Sequence, residues 1–311
     1  MTMRPITRRE ATRLIAAGSA GLMLPTHRLM AAETKGALLQ RAIPSSGEML
    51  PVIGLGTSRV FEAGSSAAER GPLEQVLATL AKQGGKLVDT SPMYGRAEAV
   101  TGEIASKLKL HDKLFLATKV WSTGRDEGIK QMEQSLDLLA TKKIDLIQVH
   151  NLIDLQTQLA TLRDWKNAGR ERYLGITHYT EGSQAEVARV LEKEPVDFVQ
   201  INYSLMEREA DDRVFPVARE RKVAVIVNRP FGRGDLFSRV RGKALPDWAA
   251  EIDCKTWAQF FLKWIVANPA VTCAIPATSK PHHMEDNMQA CYGRLPDAKM
   301  RQRMVATVAA L

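Results

Sequence analysis

From residue 38 onward the chain alternates short apolar runs with stretches of helical periodicity, and this alternation limits its fold more than any other feature. The runs predict strands at Val52–Gly56, Leu87–Thr90, Leu114–Val120, Ile144–His150, Tyr173–Thr177, Val196–Asn202, Ala224–Asn228 and Val271–Ile275. The stretches between them predict helices at Leu73–Lys82, Glu98–Leu108, Ile129–Leu139, Leu155–Ala168, Ser183–Glu192, Asp211–Arg221, Thr256–Ala267 and His282–Tyr292. Strands separated by helices lie parallel, because a crossover connection returns the chain to its starting edge. Runs such as Phe115-Leu116-Ala117 and Val225-Ile226-Val227 are apolar without alternation, as strands covered on both faces require. Eight such units close most economically into an α/β fold, a single-domain (β/α)8 TIM barrel over residues 38–311. The competing open doubly wound sheet carries a glycine fingerprint after its first strand, and Gly54-Leu55-Gly56-Thr57 lacks the third glycine. Ahead of the barrel, Leu38–Ile43 and Met49–Ile53 flank the turn-forming Pro44-Ser45-Ser46-Gly47-Glu48, predicting an N-terminal β-hairpin.

Residues 1–32 read differently. Thr7-Arg8-Arg9-Glu10-Ala11 precedes an apolar run from Leu14 to Leu24, a cationic region and a short hydrophobic region in the order of a signal peptide. The run is too short to span a bilayer, which takes about 20 apolar residues. The paired arginines and the weakly hydrophobic run, broken by Gly18 and Gly21, resemble a twin-arginine (Tat) signal. That resemblance implies the Tat export machinery as a partner and a periplasmic or exported location, cytoplasmic if the signal goes unused. An amphipathic N-terminal helix is the alternative.

The formal net charge of +8 raises the question of nucleic acid. Half of it lies in the first 35 residues, where Arg4, Arg8, Arg9, Arg13, Arg28 and Lys35 oppose Glu10 and Glu33. The remaining excess is too dilute for a nucleic-acid surface, and no such motif accompanies it. Cys254, Cys273 and Cys291 are odd in number and widely spaced. They form neither a disulfide framework nor a metal-ligand pattern, so buried thiols and no metal site are expected.

Barrel enzymes work at the C-terminal ends of their strands. Three adjacent strands end there in Asp89-Thr90-Ser91-Pro92-Met93-Tyr94-Gly95, in Thr118-Lys119-Val120-Trp121 and in Val149-His150-Asn151. They bring Asp89, Tyr94, Lys119 and His150 to one mouth. Carbonyl reduction needs a hydride for the carbon and a proton for the developing alkoxide. Tyrosine, with an ordinary pKa near 10, becomes a usable acid when an ammonium such as Lys119 favours its phenolate. Asp89 would hold Lys119, and His150 would orient the carbonyl oxygen. Singly, each residue also fits a cap, a salt bridge or a structural histidine.

Asp-x4-Tyr-Gly, then Thr-Lys, then a histidine ending the fourth strand together resemble the tetrad of the aldo-keto reductases, over a stretch from about residue 38 to Asn287. The resemblance implies a nicotinamide cofactor and a small-molecule carbonyl substrate. It implies carboxamide contacts at Thr177, His178 and Gln200, with His178 where the family has asparagine. Asn228 occupies the place of an aromatic residue that stacks on the nicotinamide, so Phe231 or another ring would have to replace it. After the eighth strand, Pro281 suits the first turn of a helix capped by Thr278 or Ser279, a natural phosphate site. Ala277 and His283 stand where the family places Lys and Arg on the 2′-phosphate. Lys280 is the substitute cation, Arg229 a second, and Asp286-Asn287 matches an acid–asparagine pair near the adenine. NADPH is thereby favoured, with NAD possible. A non-catalytic nicotinamide-nucleotide-binding regulatory or sensor module on the same barrel is the alternative function.

Phe231-Gly232-Arg233-Gly234-Asp235, with Arg239 and Arg241, forms either a lid over the pyrophosphate or a solvated loop. Phe61, Met93 and Trp121 follow strand ends and either line an apolar pocket or serve packing alone. Little chain follows the helical stretch Ala298–Ala310, so an open, permissive site is expected.

Overall fold

The computed structural model describes residues 36–311; the expected export signal at 1–32 lies outside them. Strands β1 (Gln40–Ala42) and β2 (Met49–Pro51) form an antiparallel hairpin with Arg41 opposite Leu50. Then come β3 (Leu55–Gly56), β4 (Leu87–Asp89), β5 (Phe115–Val120), β6 (Ile144–His150), β7 (Glu171–Thr177), β8 (Phe198–Asn202), β9 (Ala224–Asn228) and β10 (Val271–Ala274). These eight pair in chain order, every neighbour parallel. Parallel bridges from Ile53 to Ala274 and from Gly56 to Ala277 close the barrel.

The glycines of the first strand serve this closure. A Cβ at Gly54 would sit 2.7 Å from the Leu87 carbonyl oxygen, and one at Gly56 would sit 2.9 Å from that of Ile275. Any side chain there would push the neighbouring strands apart.

The helices between the strands are α1 (Ala67–Lys82), α2 (Ala97–Leu108), α3 (Arg125–Leu138), α4 (Leu155–Asn167), α5 (Gln184–Lys193), α6 (Val214–Glu220), α7 (Asp235–Arg239), α8 (Trp257–Val266) and α9 (Pro281–Met288); α10 (Ala298–Ala309) follows. Helix α1 begins six residues before the expected Leu73. Ser66 caps it by accepting the Glu69 N–H, and Pro72 lies inside the helix rather than breaking it. None of the helices among the described residues is long and apolar enough to cross a membrane.

Because strand side chains alternate, every second residue points into the barrel. Its lower layers are Leu87, Phe115, Ala117, Leu146, Tyr173, Phe198, Ala224, Ile226, Cys273 and Ile275, joined by Ile43 and Leu50 from the hairpin. The hairpin therefore plugs the floor. Tyr173 donates its hydroxyl to Glu48 at 2.8 Å, and Arg41 donates to the Asn268 carbonyl at 2.6 Å. Two residues further along the same strands, the inward face turns polar. Leu87 gives way to Asp89, Ala117 to Lys119, Leu146 to Gln148 and His150, Phe198 to Gln200, and Ile226 to Asn228.

Candidate active site

The polar layer is organised around one buried ion pair. Lys119 Nζ donates to Asp89 Oδ2 at 2.8 Å and to the Thr90 carbonyl at 2.8 Å. The two side chains are 1% and 3% exposed, so neither charge is shared with water. Removing one member of such a pair costs about 3–5 kcal/mol, because the other is left uncompensated. Burial pushes the Lys119 ammonium down, but Asp89 and then Tyr94 outweigh it and hold it above the ordinary lysine range. Lys119 is thus charged at any physiological pH.

The same ammonium lies 4.8 Å from the centre of the Tyr94 ring. Burial is the largest influence on Tyr94 and raises its pKa; Lys119 lowers it, but does not win. The sequence-based expectation of a net lowered value is therefore corrected. In a dry pocket the loss of water around the phenolate exceeds the attraction of one nearby cation. Tyr94 remains a protonated phenol beside a cation placed to stabilise its anion.

His150 is pushed down to about 3, first by burial and then by Lys119 and His178, so its imidazole is neutral. Its ring lies between those of Trp121 and Tyr179, with centroids at 6.3 and 6.2 Å. Its buried Nδ1 has no partner. Asp89, Tyr94, Lys119 and His150 meet at one mouth, as the strand ends require.

Behind them the structure adds groups that the sequence did not single out. Gln148 approaches Asp89 Oδ1 at 3.4 Å. It stands two residues before His150 on β6, and strand alternation alone puts both on the inner face. Glu98 on α2 is buried and accepts from Thr118, the neighbour of Lys119, at 2.5 Å. Burial raises its pKa, against Thr118, Ser135 and Lys119.

The expected carboxamide contacts lie at the ends of β7 and β8. Thr177 donates its hydroxyl to Gln200 Oε1 at 3.1 Å, and Gln200 Nε2 donates to Asp89 Oδ1 at 2.7 Å. Both ends of the Gln200 amide are thus engaged within the protein. His178 accepts the Thr180 N–H at Nδ1, 3.1 Å away, so the proton of the neutral ring sits on Nε2 and can be donated. Asn202 and Asn228, ending β8 and β9, and Asn151, just after β6, each keep a buried Oδ1 without a partner. Unpaired buried acceptors call for donors. A primary carboxamide brings two N–H donors, enough for two of these three acceptors, so the residues at this mouth fit a nicotinamide.

The phosphate half is less complete. Lys280 is the N-cap residue of α9, with Pro281 at the first helical position. Neither Thr278 nor Ser279 caps the helix; the Thr278 hydroxyl accepts the Lys280 N–H at 3.0 Å instead. Burial, then His282 and Lys280, lower the pKa of His283, which leaves it neutral and Lys280 the cation of this turn. Both Asp286 carboxylate oxygens are taken, by Thr256 at 2.7 Å and Gln259 at 2.6 Å, and Asn287 is buried. Arg229 reaches the mouth from β9, donating to the Tyr179 carbonyl at 2.8 Å.

Phe61 is wholly buried in the main core rather than lining a pocket. Phe231 packs against Phe237 at 4.8 Å and Phe261 at 6.4 Å. The loop it begins carries a short 3-10 turn, Gly232–Gly234, and then α7.

A parallel eight-stranded barrel with an Asp–Lys–Tyr–His constellation at its C-terminal mouth defines an oxidoreductase site. Residues 52–304 match the model of the aldo/keto reductase family. The chain belongs to that family. It is 28% identical over 215 residues to aldo-keto reductase YhdN of Bacillus subtilis, a match covering 64% of this chain and 64% of the relative's length. It is 26% identical over 269 residues to methylglyoxal reductase YeaE of Escherichia coli, covering 84% and 93%. Its fold is that of an aldo-keto reductase from Klebsiella pneumoniae in complex with NADPH (TM-score 0.72, 23% identity, 88% and 95% of the two chains). It is likewise that of the holo form of AKR11C1 from Bacillus halodurans (TM-score 0.69, 20% identity, 88% and 96%).

Proposed function

We propose that the protein reduces an aldehyde or ketone to an alcohol with NADPH, Tyr94 giving the proton. The observation that carries this reading is Lys119, held charged and dry between Asp89 and Tyr94. When bound, the nicotinamide supplies the hydride. The chain's own residues do the rest. Neutral His150 offers an N–H to the carbonyl oxygen and fixes its direction. Tyr94, protonated at neutral pH, passes its phenolic proton to the oxygen as negative charge develops there. The phenolate left behind faces the Lys119 ammonium, and Asp89 keeps that ammonium in place. Thr177 and His178, with two of the amide oxygens of Asn151, Asn202 and Asn228, would hold the carboxamide. Lys280 would meet the adenosine 2′-phosphate, which favours NADPH over NADH. The intact proton-delivery set disfavours a non-catalytic sensor module, which has no use for a charged lysine beside a protonated tyrosine. Steady-state oxidation of NADPH with a panel of aldehydes and quinones tests the reading. Turnover is expected; nucleotide binding without turnover across the panel would favour the module.

Residues 1–32 we read as a Tat-type export signal ahead of the 38–311 barrel, giving an exported or periplasmic protein. Arg8-Arg9 and the apolar run after them support this reading. So do the three buried, unpaired cysteines, which suit folding in a reducing compartment before export. Export after folding would carry a bound nucleotide out with the barrel. Changing Arg8→Lys together with Arg9→Lys should retain the protein in the cytoplasm, as fractionation would show; export of the variant would remove the signal from that role.

A further inference from the structure

Trp121 begins a short loop, Trp121–Gly124, between β5 and α3. Its ring lies 6.3 Å from that of His150, centre to centre, and the residue is 44% exposed. Loops at a barrel mouth are ordinarily its mobile part. This one is fastened from two helices. Gln131, in the second turn of α3, accepts the Trp121 N–H at 2.7 Å and donates back to the Trp121 carbonyl at 3.3 Å. Gln158, on α4, donates from Nε2 to the Ser122 carbonyl at 3.1 Å and to the Gly124 carbonyl at 3.0 Å. The Gly124 N–H in turn donates to Asp154 Oδ2 at 2.7 Å.

Gln158 is the buried member of this clamp. Its side chain is closed off from solvent, and both N–H donors of its amide go to the loop. Among the described residues its Oε1 has no partner, so the two loop carbonyls are the only bonds its side chain makes. The loop therefore cannot leave without orphaning a buried amide. Gly128 makes room for it: a Cβ there would sit 2.3 Å from Gln158 Oε1. Asp154 belongs to a strained turn. Asn151, Leu152 and Asp154 have left-handed backbones, with φ of 53°, 57° and 45°. Non-glycine residues hold such a backbone only where their surroundings over-determine it. The turn starts directly after His150 and brings the Asp154 carboxylate to Gly124. The loops after β5 and β6 are thereby tied together, one carrying Trp121 and the other following His150.

We infer that Gln158, with Asp154, is a positioning residue for substrate choice: it holds the Trp121 indole beside His150, against the body of a carbonyl compound bound there. This rests on the reductase reading above, in which His150 receives the carbonyl oxygen. An aryl aldehyde is long enough to reach the indole from His150, whereas a short alkyl aldehyde is not. Holding the indole in place therefore favours aryl compounds. The effect falls on KM rather than kcat, because contact with the body is the same before and during proton transfer.

The test is a double-mutant cycle read with 4-nitrobenzaldehyde and propanal, NADPH being the reductant. Gln158→Met keeps the shape and removes the donors. It should raise KM for the aryl aldehyde about threefold to tenfold, the worth of an aromatic contact, with the propanal KM and both kcat values within about twofold. In a Trp121→Ala background the same change should move neither KM, because the group through which it acts is gone. Asp154→Gly removes the acceptor and relieves the backbone at a partly exposed position, so it tests the clamp without disturbing buried packing. It should raise the aryl KM in the same direction, and Asp154→Asn, which keeps an acceptor and tolerates the left-handed backbone, should restore most of the preference. Equal losses for both aldehydes in Gln158→Met, or the same loss with Trp121 absent, would make Gln158 merely structural and overturn the inference, leaving the reductase reading intact. An aryl KM unchanged in Asp154→Gly would overturn it even if Gln158→Met fails to fold. No turnover of either aldehyde by the wild type would overturn both.

Discussion

Gln200 on β8 donates to Asp89 on β4 across the barrel, Nε2 to Oδ1 at 2.7 Å, leaving the other carboxylate oxygen of Asp89 to Lys119. Gln200 therefore orients the aspartate that holds the charged lysine. Gln200→Ala is expected to lower kcat more than it weakens nucleotide binding. Loss of this buried bond to a charged group should cost about 1.5–3 kcal/mol of stability in urea unfolding. A nucleotide Kd that rises while kcat holds would return Gln200 to direct contact with the carboxamide, the role the sequence suggested.

How much of this was legible beforehand depends on the kind of contact. Asp89, Lys119 and His150 stand at strand ends, and alternation along a strand sends them inward whatever surrounds them. Gln148 obeys the same rule two residues before His150 but carried no chemical signal of its own. Gln200 was visible as a residue and hidden as a relationship, because a pairing over 111 positions depends on barrel closure. The start of α1 lies ahead of the expected Leu73 because Ser66 caps the helix upstream of Gly71-Pro72. Phe61 and Phe231 follow strands, as rim residues do, yet both turn into packed clusters.

His150 gives a pH dependence with a definite sign. Its folded pKa, about 3, lies below the unfolded value near 6.5, so the neutral ring favours the folded state above pH 6.5. That contribution is lost as pH falls from 6.5 towards 3, at up to about 1.4 kcal/mol per pH unit. His150→Asn should therefore unfold with a weaker acid dependence than wild type over this window. Imidazole NMR signals should show His150 neutral at pH 5; a ring protonated there would contradict the assignment.

Lys280 should separate the two cofactors. Lys280→Ala is expected to weaken NADPH by about 1.5–3 kcal/mol while leaving NADH nearly unchanged, since only NADPH carries the 2′-phosphate. Fluorescence titration with both nucleotides measures the difference. Equal losses would move the phosphate elsewhere.

The cysteines should be inert. Burial pushes the Cys254 and Cys291 thiols up to about 12, and Cys273 is likewise raised by burial. Native protein at pH 8 is expected to resist a disulfide reagent, and denatured protein to release all three thiols. Rapid labelling of the folded chain would contradict this burial.

The central claim is that Tyr94, kept protonated by burial and backed by Lys119, delivers the proton. Tyr94→Phe removes the hydroxyl and keeps the ring over the ammonium. The direct measurement is kcat for NADPH-dependent reduction of an aldehyde, beside the NADPH Kd of the same variant. A fall of about 10²–10⁴ in kcat, with Kd within about twofold of wild type, is expected for the loss of a general acid alone. A variant that turns over at near-wild-type kcat would contradict the account, because the proton would then come from another group.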